Sequence, residues 1–269
     1  MSLAGVQRSV PLVATVVSGL GISLFVKPPM VWFLGLSLLA VAATVAQRVV
    51  HFDEMSGTRI GPSPKDTRAV WILPCLVAGA SFVWLQQPVF STFPWVGVLL
   101  TFAGAVLMGV VTLQSLAASD EERHRNAGRA GLFWITYITA FALYTLIYIT
   151  KIRSLFTATA VLIVTVFVTI ELLKDSDLPP RQNTIYAGAV GLVLGEATWV
   201  FNYWVVNAFM GGALLVLVLY VAVGIVQTQA ADKLTRRALM EYGVIALVGL
   251  GLAVGSMFLG GEFLARKLQ

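Results

Sequence analysis

Apolar residues along this chain come in long, nearly uncharged blocks separated by short polar segments. Helices that cover a soluble core show narrower apolar stripes instead. A run of about 18 such residues is long enough to cross roughly 30 Å of hydrocarbon as a helix. We read nine blocks of this kind, at 10–26, 30–47, 69–86, 94–117, 130–150, 154–173, 184–206, 209–229 and 238–259. They are apolar all round, which excludes barrel strands, where apolar and polar positions alternate over about ten residues. Helices also satisfy their own backbone hydrogen bonds, which lipid cannot do for them. The expected fold class is therefore all-α, a polytopic transmembrane helical bundle of nine spans. It forms one domain over 1–269, because no segment between blocks is long enough for a separate soluble domain.

Arg8 followed by the first block also fits a secretory signal peptide. No small-x-small cleavage site precedes Lys27-Pro28-Pro29, and the proline pair reads as a tight turn, so a retained helix is expected. Residues Ser56 to Pro64 read as a flexible connector, rich in glycine, serine and proline. Asp120-Glu121-Glu122-Arg123-His124-Arg125 reads as a mixed-charge solvated loop. Neither resembles a phosphate-binding loop.

Composition agrees with the pattern. The chain is 58% hydrophobic and 12% charged, against about 25% charged in soluble domains. Its net charge of +5 is not a nucleic-acid signal, since the basic residues lie between the apolar blocks. Their distribution gives an orientation instead. Thirteen of the 18 Lys and Arg fall on the side of the N-terminus, including Arg123, Arg125, Arg129, Arg236 and Arg237. Lys27, Lys151, Arg153, Arg266 and Lys267 fall on the other side. The positive-inside rule then places the N-terminus in the cytoplasm and the C-terminus outside. Trp32, Trp84, Trp95 and Trp204 all lie near the outer ends of their blocks, where indole rings favour the headgroup region.

A shift of 115 residues aligns Pro64 with Pro179, Trp84 with Trp199, Gly97 with Gly212, Gly109 with Gly224 and Gln114 with Gln229. It moves the chain by four spans, an even number, so both copies face the same way. This suggests a parallel repeat of spans three to five in spans seven to nine.

Catalytic signals are missing. The only histidines, His51 and His124, lie outside the apolar blocks, so no span offers paired haem ligands. There is no His-Glu-x-x-His, no Gly-x-Ser-x-Gly and no aspartate cluster for magnesium. Cys75 is the single cysteine and reads as a small buried residue. We therefore assign no catalytic residue, no metal site and no cofactor, and lean away from an enzyme.

Three intramembrane features remain. The seventh span carries Gly188, Gly191, Gly195, Thr198 and Asn202 at steps of 3, 4, 3 and 4, which keeps one helix face. The ninth carries a similar stripe, Ala246, Gly249, Ala253, Ser256 and Gly260. Small residues let backbones approach closely, and Asn202 can hydrogen-bond across, so both stripes predict helix packing, with each other as one arrangement. The fifth span repeats the spacing with Trp134, Tyr137, Phe141, Tyr144 and Tyr148. These aromatics either pack against neighbours or line a cavity for an apolar or cationic ligand.

Glu196 sits in the seventh span, with Trp199 one turn further on. An ionised carboxylate deep in hydrocarbon costs about 2.5–3.5 kcal/mol on insertion scales, and such residues usually face the bundle interior. An interior position is expected, with Thr165 of the sixth span as a polar partner of suitable depth. Glu171 lies one turn from Lys174, so a local ion pair near the span's end explains it.

Gly195-Glu196-Ala197-Thr198-Trp199, with Asn202-Tyr203-Trp204, and Leu234-Thr235-Arg236-Arg237 with Glu241-Tyr242, resemble an uncharacterised family of bacterial multi-pass proteins. The likeness covers the last third of the chain and implies a bacterial inner membrane, with no activity attached.

Three functions fit these residues. A small transporter or permease-like protein would use the repeat, Glu196 and the aromatic stripe. A non-catalytic membrane subunit or scaffold would use the short loops and small-residue faces. An intramembrane enzyme on a lipid-linked substrate lacks any recognised constellation. The expected partners are the lipid bilayer and either another membrane protein or further copies of the chain.

Overall fold

Each apolar block folds as one α-helix. The computed structural model describes residues 3–27, 29–55, 70–88, 95–117, 121–150, 154–176, 178–203 and 207–267, with side chains over 10–27, 29–46, 70–88, 95–117 except 115, 121–150, 155–176, 178–203 and 207–255. Among the described residues there are nine helices and no strand. They are α1 (Leu3–Ser23), α2 (Met30–Met55), α3 (Ile72–Leu85), α4 (Trp95–Ala117), α5 (Glu122–Thr150), α6 (Ser154–Leu173), α7 (Pro180–Tyr203), α8 (Ala208–Ala230) and α9 (Arg236–Lys267). The connector Ser56 to Pro64 lies outside the described residues.

The main departures are at the ends. α2 runs on to Met55, and α5 starts at Glu122 rather than near 130. The stretch read as a solvated loop is thus largely helical, with only Glu121 before the first turn and Asp120 outside the described residues. An apolar-run criterion sees only the part of a helix that avoids water. Glu, Arg and Ala are good helix formers and extend it into the polar zone, and Glu122 in the first turn suits the helix dipole.

Among the described residues six helices, α4 to α9, are long and apolar enough to cross a membrane. α3 is not. Its 14 residues span about 21 Å, short of the roughly 30 Å of a hydrocarbon core. Its apolarity is used inside the protein: Leu73, Val77, Ala78, Phe82 and Leu85 are all buried.

The helices gather in two compact units, Met1–Thr139 and Ala140–Gln269. In the first, α1 packs on α2 and α4, and α3 packs on α2 and α4. Val16, Leu20, Leu38, Leu73, Phe82 and Leu107 form its core. Phe82 rests directly on Gly35, where an added Cβ would stand 2.6 Å from the ring. The Gln114 amide donates to the Val70 carbonyl at 3.0 Å and ties the end of α4 to the start of α3.

In the second unit α6 and α7 form a tight antiparallel pair, α8 packs on both, and α9 packs on α8. Asn207 caps α8, its side-chain oxygen accepting from the Met210 N–H at 2.8 Å. The Gln227 amide donates to the Leu172 carbonyl at 3.1 Å, joining α8 to α6. The Tyr242 and Thr228 hydroxyls lie 3.2 Å apart and join α9 to α8. Glu171 is buried and paired with Lys174, as the sequence suggested.

Candidate functional site

α7 organises the second unit, and its buried face is clear. Ala187, Val190, Gly191, Leu194, Gly195, Thr198 and Phe201 are buried. A Cβ on Gly191 would lie 2.7 Å from Val166 and 3.1 Å from the Leu162 carbonyl. Gly195 faces Leu162 and Ala158. These two glycines therefore let α6 approach α7 closely. Thr198 is buried but spends its hydroxyl on the Leu194 carbonyl of its own helix, at 2.7 Å. Gly188 and Asn202 are exposed, and nothing lies within 4 Å of a Cβ on Gly188. The small-residue stripe is thus one side of the buried face, running from Gly195 at its edge to Thr198 near its centre, with Val190 and Phe201 on the other side. The two ends of the stripe, Gly188 and Asn202, are exposed.

On α9 the half-buried positions are Ala238, Tyr242, Ala246, Gly249, Ala253, Val254 and Gly255, mostly along one side of the helix. A Cβ on Gly249 would meet Leu217 of α8 at 2.5 Å. This stripe packs on α8, while that of α7 packs on α6, so the two small faces do not pair with each other. The side chains of Ser256 and Gly260 lie outside the described residues, and so does Trp204.

The aromatic stripe of α5 is packing. Tyr137, Tyr144 and Tyr148 are buried and Trp134 is exposed. Tyr137 stacks at a tilt on Phe133, with ring centroids 4.7 Å apart. The hydroxyls of Tyr144 and Thr165 are 2.8 Å apart, and the ring of Tyr148 covers Gly211. Thr165, the expected partner of Glu196, is thus engaged by Tyr144 and by the Val161 carbonyl.

Glu196 is exposed, not interior. It lies one residue past Gly195, and one step on a helix turns about 100°. That step carries it away from α6, to the side of α7 opposite Val190 and Leu194. Among the described residues it has no hydrogen-bond or ion-pair partner. It stands seven residues before Tyr203, about 10 Å along the axis. The exposed side chains around it are apolar or aromatic: Leu192 at 55%, Val193, Trp199, Val200 at 63% and Tyr203 at 84%.

Beside this face runs a groove of about 670 Å³ between α7, α8 and α9. Val193, Val200 and Phe201 of α7, Leu217 and Val221 of α8, and Leu250 of α9 line it. Its walls are apolar throughout. Val193 and Val200, which lie one turn to either side of Glu196, both line it, while Glu196 itself does not. No sequence feature announced this groove. It forms because α9 packs on α8 mostly along one side, leaving an opening toward α7.

Residues 9–256 match the family described as Protein of unknown function (DUF5656). The chain belongs to this family. The match extends far beyond the last third that carried the resemblance, over nearly all nine helices. No curated protein and no solved structure matches the chain.

Proposed function

We propose that this member of the DUF5656 family is a nine-span protein of the bacterial cytoplasmic membrane that works as a non-catalytic subunit of a larger membrane assembly. The observation that carries this reading is Glu196. A transporter that moves protons or ions through its own interior needs its membrane-embedded carboxylate inside. Here the carboxylate is on the outer surface of α7, and Tyr137, Tyr144 and Tyr148 of α5 are buried in packing. A polar group on an apolar helix face is a feature of a subunit that has a neighbour. Support for the membrane comes from the six long apolar helices. Support for a cytoplasmic N-terminus comes from the excess of Lys and Arg on its side.

Purification from native membranes in mild detergent tests the role. The chain is expected to run with another membrane protein at fixed stoichiometry, and proteoliposomes of the isolated chain to show no pH-driven flux. A lone chain with a pH-dependent flux that Glu196→Gln abolishes would restore the transporter reading. Orientation has its own measurement: an alkaline phosphatase fused after Gln269 is expected to be active, and a fluorescent protein that folds there in the cytoplasm would reverse the topology.

A further inference from the structure

We propose that the Glu196 face of α7 docks a transmembrane helix of another protein, one that carries a single lysine or arginine at the depth of Glu196. The partner's apolar residues one turn from that cation would seat in the groove between α7, α8 and α9. This names the partner chemistry for the membrane-subunit reading and rests on it.

Three observations specify the occupant. Glu196 is exposed on a helix face that is otherwise apolar or aromatic, and it has no partner among the described residues. In hydrocarbon such a carboxylate lacks solvation, so its complement is a cation or a strong donor. The direction of the side chain then argues against a lipid headgroup. Cα–Cβ bonds tilt toward the N-terminal end of a helix. The described end of α7 nearer to Glu196 is its C-terminal one, at Tyr203, so the Cα–Cβ bond of Glu196 tilts away from that end. The complement must come at depth, from another helix.

The groove supplies the rest of the seat. Val193 and Val200 flank Glu196 and also line the groove. Residues three or four positions from the partner's cation lie on the same face of its helix, so they arrive at the groove when the cation reaches Glu196. A second copy of this chain fits poorly. A two-fold contact on this face sets Glu196 against Glu196, which is like charge against like.

The experiment uses the full chain in lipid nanodiscs and a fluorescent, leucine-rich transmembrane peptide with one lysine at the depth of Glu196. Energy transfer between peptide and protein is read against an all-leucine peptide and one with the lysine moved two turns. The matched peptide is expected to bind about tenfold tighter than either control. Glu196→Gln should remove that advantage, and Ala222→Trp, which fills the groove, should weaken it while leaving Glu196 in place. Equal binding of all three peptides would overturn the proposal, and so would full binding by Glu196→Gln. Competition by hexadecylamine as strong as by the peptide would assign the face to an amphiphile instead. Self-association of the protein that depends on Glu196 would assign it to a second copy. A fixed partner in native membranes without peptide binding leaves the subunit reading standing and removes only this docking face.

Discussion

Helices α4 and α8 invite comparison, because each has 23 residues and each carries a glutamine three residues before its last one. Gln114 and Gln227 both donate to main-chain carbonyls, of Val70 and Leu172 respectively. By this shared role the two helices correspond at an offset of 113 residues. Identity matching gave 115, and it paired Gln114 with Gln229. Two residues on a helix are a rotation of about 200°, so the two registers put opposite faces in correspondence. The glycines show that the environments do not follow the identity register. Nothing lies within 4 Å of a Cβ on Gly97 or Gly109 of α4. Gly212 of α8 lies against the backbone of Thr145, and Gly224 lies under the ring of Tyr242. Residues matched by identity therefore have unlike surroundings, while the likeness at 113 rests on the two glutamine contacts alone: at that offset buried Leu107 corresponds to exposed Tyr220. Glycine and leucine matches are frequent in an apolar chain and carry little positional information. A glutamine within an apolar helix carries more, because its amide must find a partner.

The largest test of this contrast is substitution at the paired glycines. A Cβ on Gly212 would stand 3.0 Å from the Thr145 N and 3.2 Å from its Cα. These are backbone atoms, which cannot swing aside as a side chain tip can. Gly212→Val is expected to destabilise the second unit by about 1–3 kcal/mol, the usual range for overpacking. Gly97→Val, its identity partner, is expected to be neutral. Thermal unfolding in detergent, followed by fluorescence, reads both. Equal losses at the two sites would restore the identity register.

The same physics decided what the sequence revealed. The nine helices were legible because long uncharged blocks have few alternatives to helix. Their polar ends were not, since Glu122 to Arg129 continue α5 without any apolar signal. Nor did α3 reveal that it is short and buried, because a helix inside a protein and a helix in lipid are both apolar all round. At the candidate site Gly191 and Gly195 of α7 and Gly249 of α9 lie against neighbouring helices, Gly188 does not, and Tyr137, Tyr144 and Tyr148 are buried. The use of the tyrosines was not legible: Tyr144 closes on Thr165 rather than opening a cavity. Glu196 was misplaced for a different reason. The small-residue stripe of α7 already marked a side on which Glu196 does not lie, and the general tendency of deep carboxylates to face inward overrode it in the expectation. The structure assigns the inner side through the contact of α7 with α6 at Gly191.

The smallest effect sharpens the comparison most. Gln114→Leu and Gln227→Leu each remove one hydrogen bond between helices and leave one carbonyl without its donor. Both carbonyls lie at helix ends, just before α3 in one unit and in the last turn of α6 in the other, where main-chain groups lack partners within their own helix. Interhelical hydrogen bonds in membrane proteins average about 0.6 kcal/mol, so each variant should lose about that much, and by similar amounts. Gln229→Leu should lose less, because Gln229 holds no such clamp by its side chain among the described residues. Titration of unfolding with a denaturing detergent resolves the order. A Gln229 variant that loses as much as the Gln227 variant would mean that the clamp is not what makes α4 and α8 alike. Matching losses at Gln114 and Gln227, with Gln229 silent, would tie the likeness to the donated amide itself. The same contact would then have been kept in two places where the surrounding sequence was free to change.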